Sequence, residues 1–205
     1  MKKLLSTTMV AFSLVLLMGA NAYAQISQGG TPPSFIERTI SQDIEVRSFP
    51  APDVEALLME DEENMNMGVP LRVGVSVIVD LGIDDAGTWT ELPSGGKIWR
   101  LALKSDGSLA TGVYFDDFYL PEGGELYVYN ESHEEVLGAF TSFNNHESGL
   151  FAVQMVSGDV VYLEYYQPDY LIENARLHIS NISYNYKNLG LPGSENNRKC
   201  LLGHV

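Results

Sequence analysis

Apolar and polar residues alternate in short runs over most of the chain after residue 70. The runs are rich in β-branched and aromatic residues and are separated by turn-forming sequences such as PSGG, SDGS and PEGG. A period of two is typical of strands with one buried face, and many short strands between turns indicate a sandwich or barrel. The pattern predicts eight strands, at Arg72–Asp80, Lys97–Lys104, Ala110–Phe115, Glu125–Tyr129, Val136–Thr141, Phe151–Val156, Val160–Tyr166 and Arg176–Tyr184.

The phase of the alternation predicts which side chains share a face of the sheet. In KIWRLALK, one face carries Trp99, Leu101 and Leu103, and the other carries Arg100, Ala102 and Lys104. Successive side chains of a strand point to opposite faces, so we expect the first set in the core and the second on a partly exposed face. Of the two tryptophans, Trp99 is predicted in the core and Trp89, beside polar residues and a turn, at its rim.

One segment before residue 70 has a helical pattern. In PDVEALLMEDEE, Val54, Leu57 and Leu58 form an apolar stripe, and Pro52 suits a first helical turn. Four consecutive acids, residues 60–63, lie at the negative end of the helix dipole. We therefore expect a helix over Pro52–Glu63 that frays into NMNMG, and one short strand around Ile40, Ile44 and Val46.

Together these elements predict an all-β protein, an antiparallel β-sandwich of jelly-roll type with one short N-terminal helix. The predicted organisation is a signal peptide at 1–24, a polar lead with the helix at 25–70, the sandwich at 71–187 and a linker-like tail at 188–205. No second helical pattern interrupts the strands, which argues against βαβ units.

The first 24 residues have the features of a secretory signal peptide. Lys2 and Lys3 precede an apolar run from Met9 to Met18, and Ala22-Tyr23-Ala24 offers a small-x-small cleavage site. The run is about half the ~20 residues that a spanning helix needs. We expect a secreted or periplasmic protein with no membrane attachment after cleavage.

The excess of acidic over basic residues limits the classes of partner that the chain can bind. The formal charge is −15, and loss of Lys2 and Lys3 would make it −17. Such a surface repels phosphate backbones, so nucleic-acid binding is disfavoured. The single cysteine, Cys200, excludes an internal disulfide and indicates either a free thiol or a missing partner.

The residue types that catalysis and metal binding need do not form a recognisable motif. None of the four histidines lies in a serine-protease sequence context, and neither GDSGG nor GxSxG occurs. There is no CxxC and no pair of histidines at helical spacing. Asp84-Asp85 and Asp116-Asp117 are possible calcium ligands or simply solvated turn acids. We therefore predict no catalytic residue, no metal site and no cofactor within this chain.

Aromatic residues offer a binding surface as an alternative interpretation. The chain has 11 tyrosines, and Trp89, Tyr127 and Tyr129 are candidates for an aromatic surface that stacks sugars or binds a protein. Tyrosine is also ordinary β-sheet composition, so simple packing remains open. The alternative function is a secreted β-sandwich binding module for carbohydrate or a surface protein.

An ordered set of longer motifs carries a family resemblance. These are ISQGGTPPSF, FPAPDVEALLMEDE, GTWTELPSGGKIWRLALKS, YFDDFYLPEGGELYVYN, VLGAFTSFNN, GDVVYLEYYQP and ARLHISNISYNY, spanning Ile26 to Tyr186. In this order they resemble the amino-terminal pro-region of secreted bacterial trypsin-like serine proteases of the lysyl endopeptidase type.

The resemblance implies a precursor in which this β-rich segment assists folding of the protease and inhibits it. The partner would be the cognate serine protease domain, in cis or in trans, and the full-length precursor would be a serine endopeptidase. The tail GSENNRKCLLGHV does not match the start of that catalytic domain, so we expect a chain truncated before it. A lysine-specific protease would release itself after a basic residue between the domains, which makes Lys187, Arg198 and Lys199 candidate processing sites.

Overall fold

The computed structural model describes residues 27–37 and 39–188, and these residues form a two-sheet β-sandwich. The predicted signal peptide and the tail residues Arg198, Lys199 and Cys200 lie outside the described residues. There are two α-helices in the described residues, α1 at Pro33–Ile36 before the first strand and α2 at Val54–Asn66 between the first and second strands. The strands are β1 Glu45–Phe49, β2 Gly74–Gly82, β3 Thr88–Glu91, β4 Lys97–Ser105, β5 Ala110–Tyr119, β6 Glu125–Asn130, β7 Val136–Phe140, β8 Phe151–Ser157, β9 Val160–Gln167 and β10 Arg176–Asn185.

The larger sheet, here sheet A, contains six strands in the order β1, β4, β9, β6, β7, with β3 also paired to β4. Strands β1 and β3 share one edge of β4. β3 pairs antiparallel with the Lys97–Arg100 half, and β1 pairs parallel with the Leu101–Ser105 half. The smaller sheet B has the order β2, β10, β5, β8 and is antiparallel throughout.

The hydrophobic core lies between the two sheets. Its residues on β4 are the ones that the alternation of apolar and polar positions predicts to face inward. Trp99, Leu101 and Leu103 of β4 are fully buried on the inner face. Leu163 of β9 and Ile179 of β10 belong to the same cluster. The prediction of an all-β sandwich is confirmed, and each of the eight strands predicted after residue 70 is present within a few residues of its expected bounds. The jelly-roll topology stays a prediction.

On the outer face of sheet A, Lys104 is partly exposed as expected, but its neighbours on β4 are not. Arg100 and Ala102, predicted on a partly exposed face, are buried. The chain before β1 covers them, since Ile40 packs on Ile98 and Phe35 packs on Tyr129. The alternation assigned each side chain to the correct face, but the covering segment is distant in sequence and leaves no mark on that pattern.

Helix α2 does not fray at its acidic run. Its N-cap is Asp53, whose carboxylate accepts a hydrogen bond from the Ala56 N–H, and the helix continues through residues 60–63 to Asn66. Asp61 is the buried residue of this helix and is held by Arg72 and Lys187. These cations offset the repulsion between the acids, which explains why the expected fraying is absent.

Candidate functional site

The structure separates the three residues of the predicted aromatic surface. Trp89 of β3 lies at the rim of the inner face, 40% exposed, with the Lys97 ammonium 4.5 Å from its ring centre. Tyr127 and Tyr129 lie on the outer face of sheet A and are buried. The prediction of one exposed surface is wrong, because the two tyrosines lie beneath the N-terminal segment and Trp89 lies on the other side of the sheet.

The segment that covers sheet A is here called the strap, residues 27–37 and 39–44. At one end, the Gln28 N–H donates to the Ala139 carbonyl at 3.0 Å, and the Ala139 N–H donates to the Gly29 carbonyl at 2.8 Å. Pro32 and Pro33 then lead into α1. Fixed proline dihedrals favour this kind of turn into a first helical residue.

Ser34 is bound to a carboxylate in the middle of sheet A. Glu164 of β9 is fully buried and accepts hydrogen bonds from the Ser34 N–H at 2.8 Å and the Ser34 hydroxyl at 2.5 Å. The Tyr129 hydroxyl donates to the same carboxylate at 3.0 Å. Burial first, and then the negative charge of Glu164, raise the pKa of the Tyr129 hydroxyl. Buried carboxylates need such donors, and three of them satisfy Glu164.

Arg100 of β4 lies opposite Glu164 in the strand register. Its side chain is buried at 1% exposure, and its Nη2 donates to the Ser41 carbonyl at 2.6 Å and to the Thr90 hydroxyl at 3.3 Å. Its Nε is buried and has no hydrogen-bond partner in the described part of the chain. A buried donor on a charged group that lacks an acceptor is unfavourable.

Between the strap and sheet A lies a cleft of about 630 Å³. The rings of Tyr129 and Tyr162 are nearly parallel at 5.4 Å between centres, and Phe35 stacks on His133 at 4.2 Å. Burial, and secondarily Glu131, raises the pKa of Tyr162. The residues that line the cleft are Ser34, Phe35, Gln42, Ile44, Arg100, Tyr129, His133 and Tyr162. The cleft thus combines aromatic walls with a buried guanidinium.

Sequence reasoning missed this cleft, although a signal for part of it was present. Arg100 and Glu164 are single charges inside the apolar runs IWRLAL and VVYLEYYQ. An isolated charge in a buried strand is uncommon and requires a partner or a function. That signal identifies the two side chains, but not the strap that encloses them.

The outer face of sheet B is uncovered among the described residues. Ile78 of β2 is 84% exposed and Tyr114 of β5 is 40% exposed. Between these strands, His178 of β10 lies with its Nδ1 2.6 Å from Asp116 and its Nε2 2.9 Å from Asp80. A hollow of about 490 Å³ on this face is lined by Val73, Gly74, Val75, Ser76, Tyr114, Met155, Asn181, Ser183 and Asn185.

The candidate processing site Lys187 lies in a cluster of polar side chains. Its Nζ is 2.7 Å from Asp61 Oδ2, and its side chain is 20% exposed. The Tyr186 hydroxyl donates to Asp61 at 2.6 Å, and Arg72 pairs with Asp61 at 2.9 Å. Hydrogen bonds from Lys187 and Tyr186 lower the pKa of Asp61 to about 2. We call these four residues the anchor, because they tie α2 to the end of β10.

Of the four acids considered as calcium ligands, Asp85, Asp116 and Asp117 contact protein groups. Asp85 accepts from the Gly82 N–H at 2.7 Å, and Asp117 pairs with Arg176 at 3.0 Å. No cluster of three or more histidine, cysteine, aspartate or glutamate side chains with metal-binding geometry occurs within residues 27–37 and 39–188. Over the same residues, no helix has the length and apolar character needed to cross a membrane.

Three of the four histidines lie in the described residues. His133 is stacked on Phe35, and His178 lies between two aspartates. His146 has its Nδ1 2.8 Å from the Ser148 hydroxyl, within the loop that precedes β8. Comparison of the sequence with models of known protein families gave no match.

Proposed function

We propose that this chain is the pro-domain of a secreted trypsin-like serine protease of the lysyl endopeptidase type, acting as folding assistant and inhibitor. The ordered motifs from ISQGGTPPSF to ARLHISNISYNY support the proposal. The motif GTWTELPSGGKIWRLALKS forms the β3–β4 hairpin, GDVVYLEYYQP contains β9 and ARLHISNISYNY contains β10. The resemblance therefore covers strands that build the core, in addition to turns.

The observation that carries the proposal is the uncovered outer face of sheet B. Ile78 and Tyr114 present apolar surface on it, and Asp80 and Asp116 add carboxylates. Its strands are fixed by the core on the other side, so the face is rigid before any partner arrives. A rigid surface with exposed apolar residues is typical of an interaction site.

The physical role of such a face is to stabilise a partner that folds slowly. A trypsin-like domain is dominated by non-local strand pairing, which slows folding. A template that binds the native-like state and not the unfolded chain shifts the equilibrium toward the native state by mass action. The acidic charge of the chain, −15, complements a basic protease surface and would speed the encounter.

The test is refolding and inhibition of a secreted lysyl endopeptidase whose own pro-region carries the same ordered motifs. The protease is unfolded, diluted with and without this chain, and its activity on a lysine ester is followed. We expect a higher yield of active enzyme when the chain is cleaved afterwards, and inhibition of the folded enzyme before cleavage.

A pair of matched variants assigns the effect to sheet B. Ile78→Asp places a charge on the proposed face, whereas Ile172→Asp changes a residue that is 97% exposed in the loop before β10. Both are surface changes with a small expected effect on stability. Weaker inhibition by Ile78→Asp alone supports the proposal. Equal inhibition by both variants contradicts the proposed face, and no effect of the unmodified chain on yield or activity contradicts the function.

A further inference from the structure

One buried charged residue, Arg100, lines the cleft between the strap and sheet A. Arg100 and Glu164 lie opposite each other in the register of β4 and β9, each almost without solvent exposure. Well-packed apolar residues often replace such charges with no loss of stability. The presence of Arg100 at the wall of a cavity therefore indicates a role in recognition.

The hydrogen bonds of these charges leave one unmet requirement. Glu164 is satisfied by Ser34 and Tyr129, so it does not require a further donor. Arg100 uses Nη2 for the strap carbonyl of Ser41 and for Thr90, and its Nε remains without an acceptor. Because Nε is closed to solvent, a ligand oxygen in the cleft would bond to the part of the guanidinium that lines the cleft.

The charge of the site favours a neutral ligand. Arg100, which lines the cleft, lies opposite Glu164 in the strand register, and the whole chain carries −15. An anion would add an uncompensated charge beside Glu164 and would be repelled by the surface. Hydroxyl oxygens accept hydrogen bonds from a guanidinium without adding charge.

The walls of the cleft are aromatic rings that stack on one another in pairs. Tyr129 and Tyr162 are parallel within 9°, and Phe35 and His133 within 19°. The volume of about 630 Å³ lies in the range of small-molecule sites, which combine apolar walls with a few placed polar groups. Gln42 and Tyr162 line the cleft as well and add an amide and a phenol that can bond to hydroxyls.

From these features we propose that the cleft binds a neutral sugar of one or two rings. Arg100 donates to a ring hydroxyl, Tyr162 stacks against the apolar face of the sugar, and Gln42 of the strap bonds to an outer hydroxyl. The proposal is independent of the protease partner, since the cleft and the open face of sheet B lie on opposite sides of the sandwich.

The test measures binding of four named sugars to the secreted chain by saturation-transfer NMR and calorimetry. The probes are glucose, galactose, N-acetylglucosamine and cellobiose, with phenylacetate as an anionic ring of similar size. We expect saturable binding of at least one sugar with a dissociation constant of about 1–10 mM, a value ordinary for a small polar ligand. Phenylacetate should bind at least about tenfold more weakly.

Variants decide whether the cleft is the site. Tyr162→Leu removes a wall, and Gln42→Ala changes an exposed strap residue whose loss leaves the core untouched. Trp89→Ala is the control, because Trp89 is the exposed aromatic residue on the other face of sheet A. We expect binding to weaken about tenfold in Tyr162→Leu and about threefold in Gln42→Ala, and to stay unchanged in Trp89→Ala.

Three outcomes would overturn the inference. The first is no saturable binding of any of the four sugars at about 50 mM, well above the expected constant. The second is binding that Trp89→Ala abolishes while Gln42→Ala and Tyr162→Leu leave it intact. The third is tighter binding of phenylacetate than of every sugar, which would assign the cleft to anions.

Discussion

At the scale of single residues, Trp99 holds the two sheets together. It is fully buried, belongs to the main core cluster, and its Nε1 donates to the Ala86 carbonyl at 2.7 Å. Removal of a buried tryptophan side chain costs the burial energy and leaves a cavity. We expect Trp99→Ala to lower the free energy of unfolding by about 3–5 kcal/mol, measured by guanidinium titration.

The neighbouring tryptophan provides the matched control for this prediction. Trp89 pairs with Trp99 in the register of β3 and β4 but is 40% exposed. Trp89→Ala should therefore cost clearly less than Trp99→Ala. A loss below about 1 kcal/mol for Trp99→Ala, or equal losses for both, would contradict the placement of Trp99 in the core.

At the scale of elements, His178 joins three strands of sheet B. It lies on β10 and bonds to Asp116 of β5 at 2.6 Å and to Asp80 of β2 at 2.9 Å. The hydrogen bond to Asp116 is the main cause of a raised pKa for His178, and Asp80 adds to it. Protonated His178 is therefore more favourable in the folded state than in the unfolded chain.

The sign of the pH dependence follows from that raised pKa. The stabilising contribution of His178 is fully present below the ordinary pKa of about 6.5 and is lost as the pH rises through the raised folded-state pKa. We expect the midpoint temperature of thermal unfolding to fall as the pH rises through this range. The fall should be smaller in the His178→Gln variant. NMR titration of the His178 ring that gives a pKa below 6.5 would contradict the prediction.

Alternation predicted most elements because strand faces are a local property. The eight strands after residue 70 follow from period-two patterns in their own sequences. β1 was harder to predict from the sequence, because Glu45, Arg47 and Ser48 are polar. Its parallel pairing with β4 is also a non-local contact. The length of α2 was missed for a similar reason, because Lys187, which pairs with Asp61 in its acidic run, lies far along the chain.

At the scale of the whole molecule, the candidate cleft was beyond sequence reasoning. Ser34 and Glu164 are 130 residues apart, and only the folded chain brings the strap onto sheet A. Tyr127 and Tyr129 were predicted on an exposed surface but are buried, because the strap that covers them is distant in sequence. Local patterns specify strands and faces, whereas a site assembled across the sandwich depends on contacts that no single segment encodes.

Processing is a property of the whole molecule, because a protease cuts where the chain opens most easily. Lys104 lies in β4, paired on one side with β1 and on the other with β9, and Lys187 is held by the anchor. We expect a lysine-specific protease to cut after the candidate site Lys199 first, after Lys187 more slowly and after Lys97 or Lys104 last. Mass spectrometry of a timed digest measures this order.

The anchor makes the order testable with one substitution. Asp61→Asn removes the carboxylate that pairs with Lys187 and Arg72, while the sandwich core keeps all of its side chains. Release of Lys187 should increase the rate of cutting after it several-fold, with the rate at Lys104 unchanged, since cleavage follows the population of the locally open chain. Early cutting at Lys97 in the unmodified chain would contradict the proposed order. An unchanged rate at Lys187 in Asp61→Asn would show that the anchor does not protect this site.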